Sequence, residues 1–461
     1  IVVESSSQLV VNSPLIVDSL TFKAGITGTF SALLDNGITA NKVRFLKTLN
    51  PSKWFFMSFP CNVDIAKIKR TDGAALIYND DIFIKYYDGS NRSNGNYGAN
   101  WLMMASNGTL LANHGYIIGL KDGLGDVELE FPLEPTLVAT AESQRTVQVD
   151  GNQGTSLKTT DKGWNLVGQP YLSKFTGGNA SNVNYMLFSD GGTTYTTYSK
   201  LVGGLPVIDP FAAYFIQVGE DANLPYIFGG GRQLAPSLVT TNFSDIVQIN
   251  VTTATGTDNT NLIMDNDQST AYQIGLDMEK WIGTGTAKPQ VYTILGGINY
   301  SFNALPMSSV SNLLIGIYTQ VAGSTTISVD ATQSASLSKL LLTDNGVSPA
   351  TITDLLTSNY SFTANAGTNN TRFAITAQRI TTENNLIGNE LDELGISMIN
   401  DGLVLANLSP STTVRVYDAL GRLVVSKTAN SNVMEIKLNA KGIYTIQLQS
   451  GTKSWTRKVV M

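Results

Sequence analysis

The sequence predicts an all-β, multidomain protein, built from consecutive β-sandwich or jelly-roll modules behind an N-terminal solenoid-like β segment. Three observations carry this. Short apolar runs recur along the 461 residues, separated by Gly, Asn, Ser and Thr, which is how strands and turns alternate. Charged residues make up only 14% of the chain, against about 25% in an ordinary soluble domain. Helical periodicity is scarce: "ITDLL" (352–356) and "NNLIGNELDELG" (384–395) promise a turn or two each, and the second also suits a linker.

The length favours roughly two to four domains at ~150 residues each. A hydrophobic content of 42% is enough to give each a core. Residues 1–45 place apolar groups such as Leu9-Val10-Val11 and Leu15-Ile16-Val17 between small polar residues. That pattern resembles one or two coils of a β-solenoid, too few to stand alone, so the segment is expected to pack on the next domain. Residues 46–235 contain two similar stretches. "KWFFMSFPCNV" (53–63) is followed by "HGYIIGL" (114–120), and "GWNLVGQPYLS" (163–173) by "FAAYFIQV" (211–218). Each opens with Trp, an apolar strand and Pro, and each closes on an aromatic strand, so a duplicated β unit is expected. Between them Val127, Leu129 and Phe131 alternate with Glu128 and Glu130, a period of two that predicts buried apolar residues and exposed acids.

"GGGRQLAPS" (229–237) reads as a linker; without a following Lys-Ser/Thr it is no phosphate loop. Residues 236–385 are punctuated by Gly, Asn and Asp at intervals of about ten, the spacing of a sandwich or jelly roll. In 396–461, "TTVRVYDALGRLVV" predicts a hairpin through Asp418-Ala419-Leu420-Gly421, with Gly421 supplying the positive φ such a turn needs. Met434, Ile436 and Leu438 share a face, Tyr444, Ile446 and Leu448 form the next inward set, and "KSWTRKVVM" returns as the closing strand, with Val459 and Val460 held in the sheet.

A net charge of −6 leaves no footprint for nucleic acid or an anionic membrane face. No segment reaches about 18 apolar residues, so no transmembrane span is expected. No signal peptide opens the sequence, and a start at Ile1 fits a trimmed product. Cys61 is the only cysteine, which excludes an intrachain disulfide and reads as a small buried hydrophobe. His114 is the only histidine; it stands in a turn before a strand, and a His-rich zinc site is excluded. No cofactor or metal is expected. Asp265 and Asp267, near Asp258 and Asn259, lack the acidic ladder of a calcium loop and read as Asx turns. Asp80-Asp81 and Glu128 with Glu130 would make a glycosidase pair only if a cleft set them about 5 to 9 Å apart. Tyr86, Tyr87, Tyr97 and Trp101, in the polar stretch "IKYYDGSNRSNGNYGANW", are candidate ligand-binding aromatics for a glycan or host protein, or else cover a sandwich edge.

The pattern "VRVYDALGRLV", then "KGIY", then "RKVVM" resembles the type A C-terminal sorting domain of the type IX (Por) secretion system. The resemblance covers about 396–461, and some members carry further basic residues after the last valines. It implies a C-terminal Ig-like sandwich of about seven strands, recognition by the type IX translocon, and a secreted or outer-membrane-attached cell-surface location in a Gram-negative bacterium. The residues that carry the match, as a sorting signal, are Val416, Tyr417, Asp418, Gly421, Arg422, Gly442, Tyr444, Lys458, Val459 and Val460. Arg422, Lys453, Arg457 and Lys458 give this end positive charge. "LLLTDNGVSPATITDLLTSNYSFTANAGTNNTRFAI" is similar to an L-D…T-D-L…Y-F-A-G…R-F stretch in surface proteins with such tails, a module without assigned catalysis. The expected function is a non-enzymatic, adhesin-like or binding protein. The alternatives are a secreted carbohydrate-active hydrolase or carbohydrate-binding subunit, and a surface fibre subunit assembling through strand edges.

Overall fold

The computed structural model describes residues 1–34, 37–51, 53–136, 145–176, 184–188, 194–199, 207–219, 224–228, 243, 245–379, 395–399, 402–406, 408–438, 440–451 and 453–460. The expected linker at 229–237 lies outside them, as does that at 384–395 except for Gly395, which begins a strand. The architecture is almost entirely β, and the chain divides into two compact units, Ile1–Ala377 and Gln378–Met461.

The first unit opens with parallel pairing. The Val2–Val3 strand lies beside Leu15–Ala24, which lies beside Ile38–Leu49; separately, Gln8–Val10 pairs with Ser31–Leu33. Phe22, Phe30 and Phe45 enter one core with Phe59, Phe131, Leu172 and Phe211. The N-terminal segment therefore shares its core with the residues that follow.

Residues 38–228 hold two copies of one strand plan. In the first copy, Ile38–Leu49 pairs with Val127–Leu133. Inside that pair, Trp54–Ser58, Gly115–Leu120, Ile82–Tyr87 and Trp101–Met103 lie side by side in that order. Val63–Asp64 pairs with Thr109–Leu110. The second copy repeats each step. Arg145–Val149 pairs with Leu224–Phe228, Trp164–Gly168, Ala213–Gln217, Asn184–Phe188 and Tyr195–Ser199 form the inner sheet, and Phe175–Thr176 pairs with Val207–Ile208. An additional strand, Lys69–Arg70, pairs with Val127–Leu133 in the first copy.

The copies meet about a pseudo-two-fold axis. Met57 bridges Ala212, and at the equivalent places His114 bridges Val167. The Ser58 amide donates to the Phe211 carbonyl at 2.9 Å, and the Gly168 amide to the Asn113 carbonyl at 2.8 Å. Asn113 and Phe211 both have φ of 62°, an uncommon value for residues with a Cβ. At the axis a Cβ on Gly168 would stand 2.3 Å from the Ser58 Cβ and 2.8 Å from the His114 carbonyl. Glycine is required there because the two backbones approach this closely.

Residues 245–379 form an eleven-stranded sheet whose hydrogen-bonded path runs from Thr351–Asp354 at one end to Tyr360–Ala364 at the other. Ile249 and Ile327 lie near one end of that path, Leu340 and Phe373 near the other, and all four are buried in the same core. The sheet must therefore fold over itself, as a sandwich does. Where "ITDLL" promised helix, Thr351–Asp354 is a strand. The Asp354 carboxylate accepts from the amides of Leu340 and Leu356 at 3.2 and 3.1 Å, and this local bonding competes with a helical turn.

The stretch 340–375 closes on a buried ion pair. Arg372 forks onto both oxygens of Asp344 at 2.8 and 2.7 Å, and the Tyr360 hydroxyl donates to the same carboxylate at 2.6 Å. The guanidinium lies 4.7 and 4.9 Å from the Phe362 and Phe373 ring centroids.

The second unit is a small sandwich. A three-stranded sheet orders Gly395–Ile399, Gly402–Ala406 and Val433–Lys437; a four-stranded sheet orders Leu423–Thr428, Thr413–Asp418, Ile443–Ser450 and Lys453–Val460. Between them Leu405, Val414, Val416, Ile436, Leu438, Tyr444, Ile446, Leu448 and Val459 are buried. Met434, expected on the same face, is partly buried.

Candidate functional site

Among the described residues no group of three or more His, Cys, Asp or Glu side chains gathers to hold a metal ion. Asp265 accepts from the Asp267 amide at 3.0 Å, an Asx turn. Asp258 holds the buried Lys280 ammonium at 2.6 Å. Asp80 pairs with Lys121 at 2.6 Å, and Asp81 accepts from the Ile77 amide at 2.9 Å. Cys61 is buried in the first core. His114 precedes the Gly115–Leu120 strand, its Nδ1 2.9 Å from the Ala112 carbonyl. Glu128 is partly exposed beside Lys23 at 3.2 Å, but Glu130 departs from the expected alternation: it is buried, with Arg44 at 3.2 Å and Lys69 at 3.5 Å. Those two cations screen the carboxylate from water and compensate its desolvation.

The four candidate aromatics occupy strands and a short 3-10 turn more than a loop. Tyr86 and Tyr87 end the Ile82–Tyr87 strand, Tyr97 starts a turn, and Trp101 starts Trp101–Met103. Successive strand residues point to opposite faces, and the four separate accordingly. Tyr87 and Trp101 turn inward, their rings 5.2 Å apart and packed on Phe215. Burial pushes the Tyr87 hydroxyl well above its ordinary value. Tyr86 is 36% and Tyr97 49% exposed.

At the centre of this cluster stands Arg92, which sequence reasoning passed over. Asp88 caps the short helix Gly89–Ser93 by accepting from the Ser90 and Asn91 amides. Helix and chain 150–156 lock together: a Cβ on Gly89 would stand 2.5 Å from the Asn152 Nδ2, and one on Gly154 2.3 Å from the Ser93 carbonyl. The helix thus drives Arg92 between three elements. Its Nη2 bonds Glu279 at 2.7 Å, its Nε lies 4.0 Å from Asp161, and its guanidinium carbon lies 4.4 Å from the Trp281 ring and 5.5 Å from Trp164. Tyr97 donates to Asp161 at 2.7 Å; that bond, aided by burial, pushes its hydroxyl up to about 12. Burial raises Glu279 above the usual carboxylate range, with Arg92 opposing. Nearby, burial pushes Asp277 up to about 7 against bonds from the Ala304 and Gln273 amides at 2.7 Å each.

Arg92 and Glu279 are 187 residues apart in sequence, and neither "SNRSNG" nor "MEKW" carries a local pattern that would have paired them. Chemically, the arrangement sets one cation beside two carboxylates and the rings of Trp281, Trp164 and Tyr97, the last 6.0 Å away. Glu279 is bonded directly to Arg92, whereas Asp161 lies 4.0 Å from the Arg92 Nε and accepts from the Tyr97 and Ser156 hydroxyls.

In the second unit the motif residues converge. Gly421 has φ of 77°. Asp418 accepts from the Leu420 and Arg422 amides at 2.9 Å each and from the Arg422 Nε at 2.7 Å. These bonds hold the Asp418 carboxyl below its ordinary value, the Arg422 amide foremost. Val416 is fully buried, and Tyr444 is buried with its hydroxyl on the Ala440 carbonyl at 2.7 Å. Tyr444 pairs with Val459 and Ile443 with Val460, so both valines are held in the sheet. Gly442 precedes that strand; a Cβ there would touch only the Tyr444 ring edge, at 4.0 Å. Leu423, Tyr417, Thr445 and Lys458 form one lateral row across the four strands.

Residues 376–461 match the family described as secretion system C-terminal sorting domain. No curated protein matches the chain. Among solved structures, one similar chain is PorZ, described as an essential surface component of the type-IX secretion system of Porphyromonas gingivalis. It is 11% identical, with 64% of this chain and 43% of PorZ covered and a TM-score of 0.15. Another is the BSP domain of a biofilm-associated protein, 12% identical, with 89% and 59% covered and a TM-score of 0.13. The chain thus spans about half the length of these structures, and superpositions this loose carry no argument about the body. The motif residues, the two-sheet sandwich they build and the family match agree: at residues 376–461 the chain carries a type IX secretion system C-terminal sorting domain.

Proposed function

We propose that this chain is a non-enzymatic, secreted or cell-surface protein, exported through its C-terminal sorting domain, whose first unit serves as an adhesin-like binding body. The sorting domain carries the export reading. The body reading is supported by the Arg92 cluster, in which Glu279 is bonded to Arg92 and Asp161 to Tyr97 and Ser156, and by two half-exposed rings, Tyr97 at its margin and Tyr86 on the other face of the strand. Such rings stack on sugars or anchor a protein partner. Attachment to the outer membrane and the glycan or host-protein ligand belong to the same proposal.

Deleting residues 396–461 is expected to strand the protein in the periplasm while the first unit still folds. Cell fractionation reads this, and normal surface delivery of the truncated chain would refute the export reading. For the body, a glycan array with the intact protein is expected to yield a ligand whose binding falls when Tyr97 and Tyr86 are both replaced by Ala. Unchanged binding by that double variant would move the ligand site elsewhere.

A further inference from the structure

We infer that the Asp418–Arg422 hairpin tip, together with the row Leu423–Tyr417–Thr445–Lys458, is a preformed docking surface for an apolar socket with an acidic rim on the export machinery. This rests on the sorting reading and specifies which face of the domain is read.

Two independent observations carry it. The first is a rigid tip that displays an apolar side chain. Leu420 is 79% exposed, and Leu423 and Val424, just beyond the turn, are 54% and 46% exposed. A solvent-facing turn has no stability reason for leucine at its apex, because turn chemistry favours polar residues and Gly. Yet this apex is not loose. Asp418 fixes it through the Leu420 and Arg422 amides and the Arg422 side chain, and the Gly421 amide returns to the Asp418 carbonyl at 2.9 Å. An apolar group held in one geometry before binding loses little entropy on docking, the advantage of preorganisation.

The second observation is what the sheet aligns with that tip. The three separated motif pieces come to one row: Leu423 opposite Tyr417, Tyr417 opposite Thr445, and Thr445 opposite Lys458. On this sheet Val416, Ile446 and Leu448 face the core, so the row, one position away from them, faces outward. One end of the row is apolar and the other basic. Lys458, at the basic end, is exposed, and Arg422, 75% exposed beside the apolar end, is paired with Asp418. The sheet's acid, Asp418, is already engaged by Arg422. The partner that fits is an apolar socket with a carboxylate rim on the Lys458 side: the apolar end supplies affinity, and the Lys458 charge supplies orientation and on-rate.

The test uses the full chain in a host with an active type IX system, reading surface delivery by fractionation and protease accessibility. Leu420→Ser with Leu423→Ser should reduce delivery about tenfold, as loss of a central apolar anchor does, with the thermal transition of the purified protein unchanged. Leu420→Met with Leu423→Met should deliver normally, and Lys458→Glu should lower delivery in the same direction. Normal delivery of the double Ser variant overturns the docking surface. Should that variant unfold, Leu420→Glu alone decides, because a side chain 79% exposed holds no core together. The deletion of 396–461 separates the two readings. If it is stranded while the double Ser variant is delivered, only the docking surface fails; if it too is delivered, the sorting reading fails first.

Discussion

Arg372 reaches Asp344 across 28 residues of sequence and binds both of its oxygens, while its guanidinium lies over Phe362 and Phe373. Burial alone would raise the Asp344 carboxyl; the bonds from Arg372, Tyr360 and the Gly346 amide outweigh it and hold the group below its ordinary value. Removing one partner from a buried pair leaves the other uncompensated. Arg372→Ala is therefore expected to destabilise the first unit by about 3 kcal/mol. Arg372→Lys, which keeps the charge but loses the fork and the ring stacking, should cost about 2 kcal/mol. Because the folded carboxyl is depressed, its contribution is present above the unfolded value of about 3.9 and is lost as pH falls through the folded one. Denaturant unfolding at neutral pH checks the first two values. Equal stability of Arg372→Ala and the parent would show that the pair holds nothing.

That pair also shows what sequence could and could not disclose. The residues of "LLLTDN…NYSF…TRFAI" stood out as a pattern, and four of them, Asp344, Tyr360, Phe362 and Arg372, turn out to be one contact. The duplicated unit was legible from Trp54, Trp164 and their following prolines, because a repeated strand plan repeats its core positions. The Gly421 turn and the inward set Tyr444, Ile446 and Leu448 were legible for the same reason: local conformation and period dictate them. Glu130 was misjudged, since period two assigns a face but not the neighbours that cover it. Arg92 was invisible, because its partners Asp161 and Glu279 come from separate elements and only the tertiary fold brings them together.

The pseudo-two-fold axis makes a prediction in which two substitutions compensate. Gly168→Ala sets a methyl against the Ser58 Cβ and the His114 carbonyl, and overpacking of this kind costs about 1–3 kcal/mol. Adding Ser58→Gly vacates the facing position and should recover part of that loss, because the two sites are in contact and couple. A double-mutant cycle by thermal unfolding measures it. Strict additivity would argue that the copies do not touch where the structure has them meet.

At the Arg92 clamp, Arg92→Met leaves Glu279 and the buried Asp161 without their nearest cation. The expected loss is about 3 kcal/mol. Glu279→Gln in the same background removes one of the two stranded charges and should return part of it. No recovery would mean that the rings around Trp281, rather than the ion pairs, carry the clamp.

Asp277 gives the first unit a pH dependence of unusual sign. Burial raises its folded pKa to about 7, from about 3.9 when unfolded. The folded chain therefore binds this proton more tightly, and the stability it confers is complete below about pH 4 and lost as pH rises through about 7. Asp277→Asn mimics the neutral form at every pH. The melting temperature of the parent relative to this variant should thus fall between about pH 4 and pH 7 and level off above, and parallel curves would place the proton elsewhere.

The closing strand separates folding from recognition in the second unit. Val459 is 7% exposed, pairs with Tyr444 and packs in the sandwich core, whereas Leu420 touches water. Val459→Asp buries a carboxylate with no cation supplied for it, and an uncompensated buried charge costs several kcal/mol. That exceeds what a small domain can lose. The second unit should then unfold while the first keeps its own transition, and delivery should fail. Leu420→Ser should fail delivery with both transitions intact. Calorimetry beside fractionation distinguishes the two, and an intact second transition in Val459→Asp would show that the strand is dispensable to the sandwich.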